Sequence, residues 1–285
     1  MKLPTFDYHA PTSLAEAVAL LAASEGSARP IAGGQSLMPV MAFRLAQPSA
    51  LVDLRHVPGL DSIEVLAKEV KIGAMVRWRM IEESRELARV VPVLAAAMEH
   101  VAHYQIRNRG TVGGSLAHAD PAAEFPALAV ACDAVIDVVG SKGARAIKAA
   151  DLFTGALETC LADDEIITAV RVPVWPKRRR WGFQEFARRR GDFAIAGIVA
   201  FYDLDQQGLI TQAHIGVFGA TDIPRRLPNA EAALNGQEPS EALFETVGDV
   251  ASGEVNPQSD IHASRDYRRS LVGTLTKRAL AQAAK

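Results

Sequence analysis

The chain has 285 residues, 49% of them hydrophobic and 22% charged, so it has the length and apolar surface for more than one compact unit. Its 31 basic and 33 acidic side chains leave a formal charge of −2, which excludes a global field drawing it to nucleic acid or an anionic membrane. Two cysteines, Cys132 and Cys160, are too few for a disulfide framework or for the four thiolates of an iron–sulfur cluster.

The first thirty residues show no basic stretch followed by a continuous apolar core, and no later run reaches the ~18 apolar residues of a membrane span. A cytoplasmic protein without a transmembrane segment is expected. Leu14, Val18 and Leu21 behind Thr12-Ser13 have helical spacing and predict an amphipathic helix ending near Gly26. A strand over 29–32 follows and is closed by two glycines. A short helix over 37–45, with Pro39 near its first turn, then leads to a strand over 50–54 that leaves through Pro58-Gly59. These elements make a first α/β unit, residues 1–57.

From Ser62 the pattern changes to short β runs in EVLAKEVKIGA, a helical stretch over 77–98, and the glycine-bearing RNRGTVGGS. The apolar helix EFPALAVACD, the strand AVIDVVG, a turn at Ser141-Lys142-Gly143, the return strand ARAIKA and the run EIITAVRVPV complete a second unit, 58–176. Beyond the basic WPKRRR, the runs WGFQEFARR, IAGIVAFYDLD and LITQAHIGVFGA read as three strands with turns at Gly191-Asp192 and Gln207-Gly208. Helical segments at Glu231, from Glu241 and over 265–284 give the third unit, 177–285, a sheet-plus-helices composition.

The glycine pairs in IAGGQSLM (31–38) and TVGGS (111–115) bear on function. Consecutive backbone N–H groups in a loop entering a helix form a concave donor surface, and glycine lets a phosphate approach without a Cβ in the way. Taken singly, adjacent glycines after a strand more often mark a tight turn or bulge. Taken together, two such loops suit a diphosphate gripped from opposite sides, with Ser115 capping the turn that follows the second. Neither loop completes G-x-G-x-x-G or G-x-x-x-x-G-K-[ST], which removes the main support for a Rossmann unit or a Walker-type NTPase.

Other constellations carry little chemistry. His100 and His103 lack the i, i+4 spacing of H-E-x-x-H, so no metal site is expected. G-x-S-x-G is absent, so no nucleophile elbow and no catalytic side chain are expected. The basic runs at 177–181 and 187–191 read as a solvated strand face or docking surface rather than a nucleic-acid patch.

AGGQSLMP at 32–39, RNRGTVGGSLAHADPAAEFP at 107–126 and RRRGDFAIAG at 188–197 together resemble the FAD-binding medium subunit of molybdenum hydroxylases. The resemblance covers almost the whole chain and points to the carbon monoxide dehydrogenase medium-subunit and xanthine dehydrogenase family. It implies an α+β protein with the FAD-binding fold of the vanillyl-alcohol-oxidase type, two α/β subdomains followed by a C-terminal domain of sheet and helices. It further implies an oxidoreductase subunit that takes electrons from iron–sulfur clusters on a small subunit and passes them to a terminal acceptor. Molybdopterin would sit on a large subunit, in a dimer of heterotrimers.

Carried over by motif, the resemblance makes Ala32, Gly33, Gly34, Gln35 and Ser36 the first diphosphate loop, with Ile31, Leu37 and Met38 at its edges. Thr111, Gly113, Gly114 and Ser115 become the second loop. Glu124 matches an acidic position that reaches the adenosine ribose, with Asp120 the nearer rival; both also suit the N-terminus of a helix starting near Pro121. Ile167 matches an aliphatic position beside the cofactor and equally reads as plain core. Phe193 matches an aromatic position that shields the flavin and is also a good strand residue. Glu185 departs from relatives that often carry lysine. Gln35 cannot form a histidyl–flavin bond, so the FAD is expected to be non-covalent. Two alternatives stay open: a self-contained FAD-dependent oxidase or reductase, and a non-enzymatic assembly protein with a relic nucleotide site.

Overall fold

The computed structural model describes residues 2–285. Strand β1 (Asp7–His9) leads to α1 (Leu14–Ala23), which starts where Ser13 Oγ accepts the N–H of Glu16 at 3.2 Å and Glu16 reaches back to Thr12 N at 2.9 Å. The helix buries Ala17, Val18 and Leu21, and the chain turns away where Glu25 and Gly26 take φ values of 49° and 84°. Then come β2 (Ala28–Ile31), α2 (Leu37–Ala42) and β3 (Ala50–Asp53). The three strands are parallel, in the order β1-β3-β2. Their carboxyl ends therefore share one edge, the edge at which open parallel sheets hold ligands.

Strands β4 (Ile63–Val65) and β5 (Glu69–Gly73) open the second layer. The single helix expected over 77–98 is instead three short ones, α3 (Trp78–Glu83), α4 (Arg85–Val90) and α5 (Pro92–Met98). Ser84 caps the second by accepting from Leu87 N at 3.2 Å. Pro92 opens the third, since proline lacks an N–H and is tolerated only in a first turn. The short α6 (Tyr104–Arg107) and α7 (Val112–His118) precede α8 (Glu124–Ala131). Strands β6 (Val135–Gly140) and β7 (Gly143–Lys148), the turn α9 (Ala149–Leu152), the small pair β8 (Phe153–Gly155) and β9 (Glu158–Thr159), and β10 (Ile166–Pro173) complete the layer. Its five-stranded sheet is antiparallel, in the order β4-β5-β10-β6-β7.

The last third forms an antiparallel sheet of β11 (Arg180–Phe186), β12 (Ala196–Leu204), β13 (Ile210–Phe218) and β14 (Arg225–Arg226). Helices α10 (Pro228–Leu234), α11 (Glu241–Glu254) and α12 (Arg265–Ala283) follow. Strand alternation divides this sheet between two cores. Ile198, Ala200 and Tyr202 pack with the helices, whereas Val199, Phe201, Phe183 and Phe218 join the core of the preceding layer. Burial on both faces explains why β12 reads as almost continuously apolar.

Not all of the basic linker is solvated. Arg179 turns inward, lying over the rings of Trp175 and Phe201 at 5.6 and 5.2 Å and pairing bidentately with Asp203 at 3.0 and 2.6 Å. Among the described residues no helix is long and apolar enough to cross a membrane.

Candidate functional site

The first glycine pair follows β2 at the carboxyl edge of the parallel sheet. Gly34 has φ of 71°, a left-handed conformation natural to glycine, and its carbonyl accepts from Met38 N at 3.2 Å as α2 begins. Gln35 Nε2 donates to Gly33 O at 2.9 Å and stiffens the loop. A Cβ on Gly33 would fall 2.0 Å from the carbonyl oxygen of Arg109. That glycine is therefore required by the close approach of the segment preceding the second motif. Residues Ile31 through Met38 are all partly exposed, and the loop lines a cleft of about 520 Å³ with Tyr8, Asp53, Arg55 and Arg109.

The electrostatics of this cleft were not legible from the glycine motif. Asp53 is buried at the end of β3; its Oδ2 accepts from Tyr8 Oη at 2.6 Å and its Oδ1 from Arg55 N at 2.9 Å. The hydrogen bond to Asp53 holds the Tyr8 phenol above its ordinary range. Arg55 pairs with Asp53 at 3.3 Å, and Arg109 leaves the cleft a net positive charge beside the glycine loop, which favours an anion. Arg109 was findable, since it stands two residues before Thr111 in RNRGTVGGS. Tyr8 lies on β1, Asp53 at the end of β3 and Arg55 in the turn after it, and only the sheet gathers them.

The second motif is not a loop before a helix, as expected, but the first turn of α7 itself. Thr111 is the N-cap, accepting from Gly114 N at 3.2 Å, and Ser115 lies inside the helix rather than capping it. Gly113 is buried: its N–H donates to Ala74 O at 2.8 Å, and a Cβ there would sit 2.6 Å from Ala74 Cβ. Its small size lets α7 pack against the turn that follows β5. Gly114 is the more open of the two, with a Cβ position 2.8 Å from Thr111 Oγ1 and 3.9 Å from Ala32 Cβ. The two motifs, distant in sequence, thus face each other: Gly114 looks at Ala32, and Gly33 packs on Arg109 and Gly110.

The remaining candidates separate. Asp120 Oδ1 accepts from Ala122 N at 2.8 Å and closes the turn after α7. The next helix starts at Glu124, not near Pro121, so Asp120 does not sit at its first turn. Glu124 is 7% exposed, and burial, with the Asp120 charge adding to it, pushes its carboxyl up to about 7. Ile167 is buried in β10 within the core of the second layer. Phe193 is 65% exposed in the connection between β11 and β12. Glu185 joins the acidic group: burial first, then the Glu124 charge, pushes it up to about 8.

These two acids make the cofactor-free protein sensitive to alkali. Both folded-state values lie above the ordinary 4.5, at about 7 and about 8, so the native chain holds protons that the unfolded chain releases in between. Stability contributed by the protonated forms is intact below pH 4.5 and is lost as pH rises through 7 to 8. The urea midpoint is expected to fall between pH 5 and pH 9 by the equivalent of a few kcal/mol, about 1.4 kcal/mol for each tenfold change in proton affinity. Glu185→Gln should flatten much of that slope, and an unchanged slope in the variant would refute the assignment.

Comparison with known proteins agrees with this geometry. Residues 4–175 match the family described as FAD binding domain in molybdopterin dehydrogenase, and residues 181–283 match the CO dehydrogenase flavoprotein C-terminal domain. The nicotine 6-hydroxylase medium subunit of Paenarthrobacter nicotinovorans is 45% identical over 284 residues, covering 99% of each chain. The carbon monoxide dehydrogenase medium chain of Hydrogenophaga pseudoflava is 33% identical, covering 97% of this chain and 96% of that one. In the crystal structure of quinoline 2-oxidoreductase from Pseudomonas putida 86, a chain 39% identical superposes with a TM-score of 0.95 over 100% of this chain and 98% of that one. The expected α+β flavin-binding architecture is borne out by these matches. With two facing glycine motifs, family matches to both segments and relatives that are oxidoreductase subunits, the chain belongs to the FAD-binding medium subunits of the molybdenum hydroxylases.

Proposed function

We propose that the chain is the electron-transfer subunit of a heteromeric molybdenum hydroxylase, standing between iron–sulfur clusters on a small partner and a terminal acceptor. The substrate is then oxidised at molybdopterin on a large partner, in a dimer of heterotrimers located in the cytoplasm. The two cysteines support this division, because this polypeptide cannot assemble those clusters alone. In this reading residues 1–57 and 58–176 clasp the cofactor and 177–285 cover it.

The observation that carries the reading is the convergence of the two glycine motifs, with the Gly114 Cβ position 3.9 Å from Ala32. The residues present fit FAD. Ile31 to Met38 on one side offer a loop with little side-chain bulk and backbone donors to a diphosphate, and Thr111, Gly113, Gly114 and Ser115 on the other offer two hydroxyls and an approach free of bulky side chains. Glu124, with Asp120 beside it, offers a carboxyl to paired ribose hydroxyls. In this reading Phe193, which is exposed and aromatic, covers a flavin ring, and Ile167, which is buried in the core, supports the floor. Bound FAD supplies the redox chemistry. The chain's own residues bind it, orient it and limit the water around it, which is why no catalytic acid, base or nucleophile is required.

The test is purification of the native assembly. Flavin absorbance at one FAD per chain, together with copurifying iron and molybdenum, is the expected result. A flavin-loaded chain that oxidises a small substrate alone would replace this reading with a self-contained flavoenzyme. A folded chain without flavin would leave an assembly protein.

A further inference from the structure

Every residue of α2, LMPVMA, is apolar, yet only Met41 is buried. A helix apolar on all sides belongs in an interior, and this one lies at the surface directly after the first glycine motif. Pro39 is exposed, and Phe43 follows it at i+4, so the two project from one side. Phe43 is 66% and Leu45 78% exposed. Neighbouring apolar side chains held out in water mark a contact site.

The turn that presents them is fixed. Arg44 takes φ of 64°, a left-handed conformation that costs a residue with a Cβ and persists only where the surroundings enforce it. Phe43 N donates to Pro39 O, Arg44 N to Met41 O and Leu45 N to Val40 O, each at 3.0 Å. Arg44 Nη2 donates to Lys2 O at 3.2 Å and ties the N-terminal segment alongside. Two apolar side chains are thus set out on either side of a buttressed cation.

The charge around this face has one sign. No Asp or Glu occurs between Ala28 and Val52. Arg44 spends its hydrogen bond on a backbone carbonyl, which leaves its charge unopposed by that contact. The adjoining cleft, to which α2 contributes Met38 and Pro39, has Asp53 as its one acid, already met by Arg55 at 3.3 Å, and Arg109 besides. A partner that fits is apolar at its centre and anionic in character. An iron–sulfur cluster held by four cysteine thiolates carries net negative charge, and α2 grows directly out of the loop that is proposed to hold the diphosphate.

Resting on the electron-transfer reading above, we infer that the exposed face of α2 and the turn over 43–45 are the seat of the cluster-bearing small subunit. Phe43 and Leu45 anchor that partner, Arg44 and Arg109 face its negative charge, and the same contact brings its cluster beside the cofactor site.

The test uses the native assembly carrying Phe43→Asp and Leu45→Asp together. Both side chains are exposed, so the chain should fold and keep its FAD, checked by circular dichroism and flavin absorbance. Affinity for the iron–sulfur subunit should fall about a hundredfold, so that this subunit and its iron are lost on size exclusion. Phe43→Leu with Leu45→Met keeps the face apolar and should retain the partner. A photo-crosslinking amino acid at position 43 of the otherwise unaltered assembly should join this chain to the iron–sulfur subunit, a readout that stands even where the double Asp variant folds poorly. Adducts only with the large subunit or with a second copy of this chain, or a folded double Asp variant that keeps its full complement of iron–sulfur subunit, would overturn the docking surface and leave the flavin reading intact. A native assembly that contains no iron–sulfur subunit would overturn the electron-transfer reading itself.

Discussion

Replacing Gly33 and Gly114 together by valine is expected to yield a protein without flavin absorbance. The two substitutions act differently. At Gly33 the new Cβ would lie 2.0 Å from Arg109 O, a backbone atom that cannot step aside, so the motifs are forced apart at a cost of about 3 kcal/mol or more. At Gly114 the Cβ meets Thr111 Oγ1 at 2.8 Å and otherwise projects toward Ala32, into the gap between the motifs. Gly114→Val alone should therefore weaken a helix cap by about 1 kcal/mol, leave the fold standing and still expel the cofactor. The absorbance spectrum of the purified variant, with circular dichroism as the check on folding, decides the matter. Stoichiometric FAD in a folded Gly114→Val protein would falsify the placement of the diphosphate between the motifs.

Arg268→Ala is expected to be the most damaging single change in the C-terminal domain. The guanidinium is buried and donates from Nη1 to Ile195 O at 2.7 Å and Gly219 O at 2.6 Å, and from Nη2 to Asp260 Oδ2 at 2.6 Å. Truncation strands two carbonyls that together are worth about 2–4 kcal/mol, and Asp260, which is held at about 2 largely through this contact against the opposing effect of burial, would return toward its ordinary range. For a chain of this size the melting temperature should drop by roughly 5–15 °C. Arg268→Lys should fail to rescue it, because a single ammonium cannot span three separated acceptors as a planar fork does. A loss under 1 kcal/mol in thermal or urea unfolding, about the value of a solvent-exposed pair, would show the clamp to be dispensable.

Much of the architecture is legible in local chemistry. Ser13 and Glu16 announce α1, and the alternation in AVIDVVG and the apolar IAGIVAFY announce β6 and β12. The break of 77–98 into three helices was signalled by Ser84 and Pro92; the i, i+7 spacing of Leu87 and Leu94 runs across the second break and masked it. The site was legible in part. Its glycines stand out in the sequence, yet what each is for depends on partners from elsewhere: Gly113 is small because Ala74 lies against it, and Gly33 because Arg109 does. The charge around the first motif was invisible because Tyr8 reaches it from β1, and Asp53 and Arg55 from the end of β3 and the turn after it. Likewise Glu185 looks like an ordinary strand carboxylate until the facing of β11 shows which side it occupies.

The C-terminal sheet lends Phe183, Val199, Phe201 and Phe218 to an apolar interior that also contains Trp78, Phe125 and Val170 from the preceding segment. Two stretches that can be described separately along the polymer are thus welded through a common oily centre, and severing them would strip both of their lining. Inheritance must then treat the pair as one cassette: a lineage that exchanged either half would have to re-fit the joint ring by ring.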